Sequence, residues 1–282
     1  MSGLRTVGDK LRARVQLAIG AAARLGDEVH GAPGLRVFEA ADRNGGAAMI
    51  VSVHQAPPVG PTPAALSERL TRLGALEHPA LELPLSCGAV DGMAWTLETA
   101  SALPTARDRV VRSPLPLSEG VAAVRDLGRA IVAMHRAGLT HGAIGLDTVQ
   151  WNPDGVKLGG AALSMGVSVR DDLDALAQLA WTLFSGQMRT PGSPRLSAIR
   201  RRVPPRLDDL CVAMFAADPA ARPQSAEEIL DVLDVIPTRR TSEFPAMLDA
   251  GFFDSRPRRQ APWLMVGIAV AALAAILFIT RT

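Results

Sequence analysis

The apolar pattern changes period once along the chain, and that change restricts the fold more than any other feature. From about Leu25 to Thr99 apolar residues come in short runs. The stretch "GLRVFEAADRNGGAAMIVSVH" holds two of them, joined across Asn44, Gly45 and Gly46, a strong hairpin cue. A single helix is expected in "TPAALSERLTRLGALEHPAL", capped by Thr62 and closed near His78 and Pro79. The stretch "LPLSCGAVDGMAWTLETA" then returns to strand, turning at Asp91 and Gly92. A proline-containing connector follows. From Ser118 onward the spacing is helical, in "SEGVAAVRDLGRAIVAMHRAG", "DDLDALAQLAWTLFSG", "RLDDLCVAMFAAD" and "SAEEILDVLDVI". Strands first and helices afterwards define an α+β arrangement in two lobes.

Composition narrows the function classes. At 282 residues, with 48% hydrophobic and 21% charged, the chain can bury a sizeable core. Thirty basic residues against 28 acidic ones leave +2, so no strong field makes nucleic acid an expected partner. Lys10 and Lys157 are the only lysines. Cys87 and Cys211 show no CxxC spacing, which argues against a zinc site or a disulfide framework and for a reducing compartment.

The two ends carry their own signals. Ala261 to Ile279 contains no charge, and nineteen residues at about 1.5 Å each give roughly 28 Å of helix, close to the thickness of a bilayer's hydrocarbon. A single transmembrane helix is expected over 261–280, after a linker over 237–260; a buried core helix is the alternative. Arg256, Arg258 and Arg259 precede it and Trp263 sits at its edge, which places the N-terminal part on the cytoplasmic face of the cell membrane. Gly267, Ala271 and Ala275 form a small-residue face suited to a homodimer through this helix, although chance spacing explains it equally well in so alanine-rich a segment. At the other end, Leu4, Val7, Leu11 and Val15 recur at helical spacing, so residues 1–24 read as an amphipathic helical extension. Val15 to Ala23 also weakly imitates a signal peptide.

The order of elements and four local motifs together resemble the eukaryotic-type (Ser/Thr) protein kinase domain as bacteria carry it, over residues 25–236. "AMHRAGLTHGAIGLDTV" is similar to its helix and catalytic loop, and "DGVKLGGAALS" to the strand pair before its metal motif. "DDLDALAQLAWTLFSG" is similar to its buried central helix, and "DPAARPQSAEEIL" to its closing helices. The resemblance implies a bilobal protein-kinase-like fold, with a small β-rich lobe and a helical lobe. It also implies where phosphoryl-transfer groups would stand, because that reaction rests on positioning and charge neutralisation. His141 matches the histidine opening the catalytic loop, but Ala143 stands where the aspartate belongs and Thr148 where the asparagine belongs. Gly160, Ala161 and Ala162 replace Asp-Phe-Gly, and Val51, or Ile50 or Ser52 in a shifted register, takes the lysine position. The phosphate-covering loop offers Gly31 and Gly34 around Pro33, which lacks an N–H. About a dozen residues separate Gly160 from Asp172, where relatives carry a longer activation segment.

On this resemblance the chain is expected to be a degenerate member, a pseudokinase and no enzyme, with no cofactor and no metal, acting as a protein-binding or regulatory scaffold. The alternative is an atypical protein kinase or nucleotide-binding sensor using displaced residues. Asp172 and Arg222, with His141, are the matching fold-supporting residues; Asp172 is expected to receive catalytic-loop hydrogen bonds and to act as a helix cap, and the partner of Arg222 is open. Glu68 matches the helix glutamate, although a solvated face explains it more simply; Asp147 and Asp154 are the carboxylates nearest the loop, Asp154 being accounted for by its turn. The expected partner is a cytoplasmic or membrane protein, of a phospho-recognition or kinase-pathway kind. It would dock on Arg195, Arg200, Arg201, Arg202 and Arg206, where a solvated charge run is the simpler reading, or on Thr241 and Ser242 in "RRTSEF" once phosphorylated.

Overall fold

In the computed structural model the described residues are 3–32, 35–42, 48–55, 63–91, 93–101, 103–112, 115–152, 154–161 and 167–238. The expected membrane helix over 261–280, its linker from residue 239, Thr241, Ser242, the Asn44–Gly46 turn, Thr62, Pro33, Gly34, Gly92 and Ala162 lie outside them. Among the described residues no helix is long and apolar enough to cross a membrane. The chain divides into two compact units, one from residues up to 77 together with 83–102, the other from residues 78–82 together with those from 103 onward.

The first unit holds α1 (Gly3–Ile19), β1 (Arg24–Ala32), β2 (Leu35–Ala41), β3 (Ala48–Gln55), α2 (Pro63–Gly74), β4 (Ser86–Val90) and β5 (Met93–Thr99). The strands form one antiparallel sheet in the order β1-β2-β3-β5-β4. Phe38 stands opposite Val51, Val51 opposite Leu97, and Val53 opposite Trp95. Alternate residues of a strand share a face. These side chains therefore make one apolar surface, and it closes on Val15, Ile19 and Ala23 in a single buried cluster. Val15 and Ile19 of α1, one helical turn apart, are 0% and 4% exposed. At the sheet edge the Trp95 indole lies over Gly88, where a Cβ would come within 2.8 Å of the ring.

The second unit holds α3 (Ala106–Arg112), α4 (Leu117–Arg136), the hairpin β6 (Val149–Asn152) and β7 (Gly155–Leu158), α5 (Val169–Ser185), α6 (Leu196–Ile199), α7 (Pro205–Ala213) and α8 (Ala226–Leu233). Helix α4 packs on α5, α8 and β7, and its Leu127, Ile131 and Met134 meet a core that includes Leu173, Leu176, Trp181 and Phe184. Gly120 permits the approach to α5, since a Cβ there would lie 3.1 Å from the Leu183 carbonyl oxygen. The apparent connector before Ser118 contains α3, whose seven residues are too few to show a period. Residues 78–82 attach to this unit as a strand-like segment: the Leu158 N–H donates to the Ala80 carbonyl (2.8 Å) and the Glu82 N–H to the Leu158 carbonyl (2.9 Å). At the far end the Arg125 guanidinium donates to the carbonyls of Leu233 and Ile236 and to the Thr238 hydroxyl, and Asp234 pairs with both Arg125 and Arg129. One side chain of α4 thus fastens the end of α8 and the residues that follow it.

Candidate functional site

The loop between α4 and β6 is held by one buried carboxylate. Asp172, wholly buried in the first turn of α5, accepts the backbone N–H groups of His141 and Gly142, each at 2.7 Å. Its Oδ2 lies 2.9 Å from His135 Nε2 at the end of α4. Burial alone would raise this carboxyl's pKa, but the bonds from His135, Gly142 and His141 outweigh it and hold it below the usual carboxylate value. Asp172 does not cap α5. The cap is Ser168, which exchanges hydrogen bonds with Asp171 in a capping box.

The loop then closes on itself. His141 is buried, and its Nδ1 accepts the Ala143 N–H at 3.2 Å. The Thr148 hydroxyl donates to the Ala143 carbonyl at 2.6 Å and accepts the Gly145 N–H at 3.0 Å, so a short side chain closes the second half of the loop. Gly142 has φ 72°, a left-handed conformation that an arginine adopts only with strain. Ala143 is 4% exposed, its methyl packed inward. Beside it, Asp147 is fully engaged: Arg107 of α3 grips it with two bonds, at 2.5 and 2.7 Å. A fork of this kind fixes both partners more firmly than a single contact would.

Gly159 and Gly160 follow β7, where the sequence resemblance implies the metal motif. Gly160 has φ 84°, where L side chains are strained. Next to it stands a carboxylate that sequence reading missed. Glu82 places Oε2 3.2 Å from where a Cβ of Gly159 would sit, so glycine leaves the room the acid fills. Burial raises its pKa, while Lys157 and a hydrogen bond with Gln150 oppose the shift. Glu82 and Gly159 are nearly eighty positions apart in the sequence, and no local pattern joins them.

The remaining candidates are placed as follows. Arg222 bonds the Ala216 carbonyl (2.8 Å) and approaches Asp174 at 3.5 Å, and Asp174 also pairs with Arg170. That answers the open question of its partner. Val51 belongs to the sheet unit and lies in the cluster closed by α1, so Ile50 and Ser52 face the opposite side. Glu68 is exposed on α2, and Gly31 is paired with Arg36 inside β1. Among the described residues no group of three or more His, Cys, Asp or Glu side chains is arranged to hold a metal ion.

No protein-family model matches the chain, and no curated protein matches it by sequence. Solved structures match its fold. The PknI kinase domain of Mycobacterium tuberculosis is similar at a TM-score of 0.58 and 21% identity, over 76% of this chain and 96% of that one. A double mutant of the same domain is similar at 22% identity over 95% of its length, with the same TM-score. Rad53 in complex with AMP-PNP has a TM-score of 0.59 at 14% identity, covering 76% of this chain and 66% of that one. The chain therefore has a protein-kinase-like fold, with a β-sheet unit and a helical unit. The expectation that it is no enzyme is overturned here, because the structures that share its fold are kinase domains. The substitutions at Val51, Ala143, Thr148 and Gly160 do not establish lost activity. A carboxylate from a distant segment, Glu82, lies beside Gly159.

Proposed function

We propose that the chain is a regulatory, protein-binding module of kinase-like fold, held at the cytoplasmic face of a membrane by segment 261–280. The observation that carries this reading is the lock on the loop. Asp172, His135 and Thr148 tie residues 141–148 to one another and to the flanking helices, and Arg107 does the same for Asp147. Side chains used in this way preorganise a surface, and preorganisation lowers the cost of binding a partner. Thr241 and Ser242 are the proposed sites at which a pathway kinase modifies the tail. The test is photo-crosslinking of the full-length chain in native membranes at native expression. One protein captured reproducibly supports the module; a clean negative removes it.

A second reading, a nucleotide sensor or atypical transferase, is favoured by Glu82 beside Gly159 and by the likeness to a structure that carries AMP-PNP. Calorimetry of the full-length chain with ATP and Mg²⁺, followed by a radiolabel transfer assay, separates the two. Label that is lost in Glu82→Gln or Asp147→Asn makes the transferase reading primary; binding without label makes the sensor primary.

A further inference from the structure

Residues 195–209 contain five arginines against two aspartates, a local excess of three positive charges in a chain whose total is +2. The structure shows how those charges are used. Arg195 is consumed by both aspartates: it pairs with Asp208 at 2.8 Å and also with Asp209. Asp208 is further occupied by the Ser197 N–H (3.0 Å) and hydroxyl (2.7 Å). Arg200 turns back to the Leu115 carbonyl at 2.7 Å. Arg201, Arg202 and Arg206 are left exposed, and both nearby carboxylates are already spent on Arg195.

Their setting adds to the charge. Arg202 has φ 59°, one of two non-glycine residues with positive φ among the described residues, at a turn that glycine would take without strain. Arg206 stands in the first turn of α7, where the helix dipole already contributes positive charge and disfavours a cation. Pro204 and Pro205 fix the backbone between Arg202 and Arg206. Three cations are thus presented from a stiff segment, at the cost of local repulsion, and the two aspartates of that segment do not offset it.

We infer that the α6–α7 turn is a docking surface for an acidic, carboxylate-rich segment of a protein partner, read by Arg201, Arg202 and Arg206. This rests on the binding-module reading and names the chemistry of its partner. Guanidinium forks match carboxylates in pairs, and a cationic patch of this kind speeds association and makes it salt-dependent.

The test uses the full-length chain in detergent with a labelled glutamate-rich peptide, the same peptide with serine for glutamate, and vesicles with and without phosphatidylserine. Two variants are compared: Arg201→Ser with Arg202→Ser and Arg206→Ser, and a control of equal charge loss in the other unit, Lys10→Ser with Arg14→Ser and Arg24→Ser. The expected result is binding of the acidic peptide alone, weakened about tenfold or more in the first variant and unchanged in the control, tenfold being 1.4 kcal/mol. Equal loss in both variants, no loss in either, or no binding by the unmodified chain overturns the inference. So does a patch variant that loses anionic vesicles and not peptide. If the patch variant still crosslinks the same partner in membranes, the docking surface is wrong while the module stands. If the unmodified chain crosslinks nothing, the module itself fails.

Discussion

Asp172 Oδ2 lies 2.9 Å from His135 Nε2, joining the first turn of α5 to the last turn of α4 across the loop they both support. The same carboxylate receives two backbone N–H groups, so one side chain holds three parts of the helical unit in register.

Asp172→Ala should destabilise the fold by about 3–5 kcal/mol, since it leaves buried donors without their anion. Because the folded pKa of Asp172 is depressed, its contribution is complete above the unfolded value of about 3.9 and is lost as pH falls through the lower folded value. The stability gap between wild type and variant should therefore shrink below about pH 4. Denaturant titrations across pH measure it; a gap that widens in acid contradicts the assignment.

Glu82 has the opposite sign. Its folded pKa is raised, so its ionisation costs stability as pH rises above the unfolded value of about 4.3. Glu82→Gln keeps the shape and an oxygen for Gln150 while removing that cost. The variant should match wild type in acid and gain in thermal midpoint towards neutral pH. A midpoint that falls instead would mean that Lys157 stabilises the carboxylate more than burial penalises it.

Two glycines of α4 should respond differently to alanine. Alanine gains about 1 kcal/mol in helix propensity over glycine. At Gly120 the new Cβ meets the fixed Leu183 carbonyl at 3.1 Å, and overpacking of about 1–3 kcal/mol should outweigh the gain. At Gly128 the nearest atoms are the branched tip of Leu230, which can rotate away, so the change should be near neutral. Paired urea melts compare them directly.

Helix α1 should be part of the folded unit. Ile19→Ala removes a buried side chain from the sheet core and should cost about 2–5 kcal/mol, whereas Leu17→Ala, 84% exposed two residues away, should stay within about 0.5 kcal/mol. Equal small effects would show that the helix does not hold the sheet.

What the sequence revealed and what it hid follow from contact distance. The longer helices of the second unit, α4, α5, α7 and α8, were legible because each carries its own period, whereas α3 and α6 are too short to show one; the loop was legible because its histidine and glycines sit at fixed local spacing. The face of Val51 was not legible, since "AAMIVSVH" is a continuous apolar run without alternation, and only the partners Phe38 and Leu97 assign it. Glu82 and the Asp174 partner of Arg222 were hidden for a related reason: each contact joins residues from nearly fifty to nearly eighty positions apart. The burial of Val15 beneath strands that follow it was likewise invisible, because an amphipathic helix shows that it has a partner without naming which one.

The Arg125 guanidinium, tied to two carbonyls, a hydroxyl and a carboxylate at the end of α8, acts as a mechanical stop. A pull arriving from residue 239 would load these polar ties to α4 before it reached the apolar interior. Strain entering the helical unit at its tail would thus fall on polar side-chain ties first and on packing afterwards.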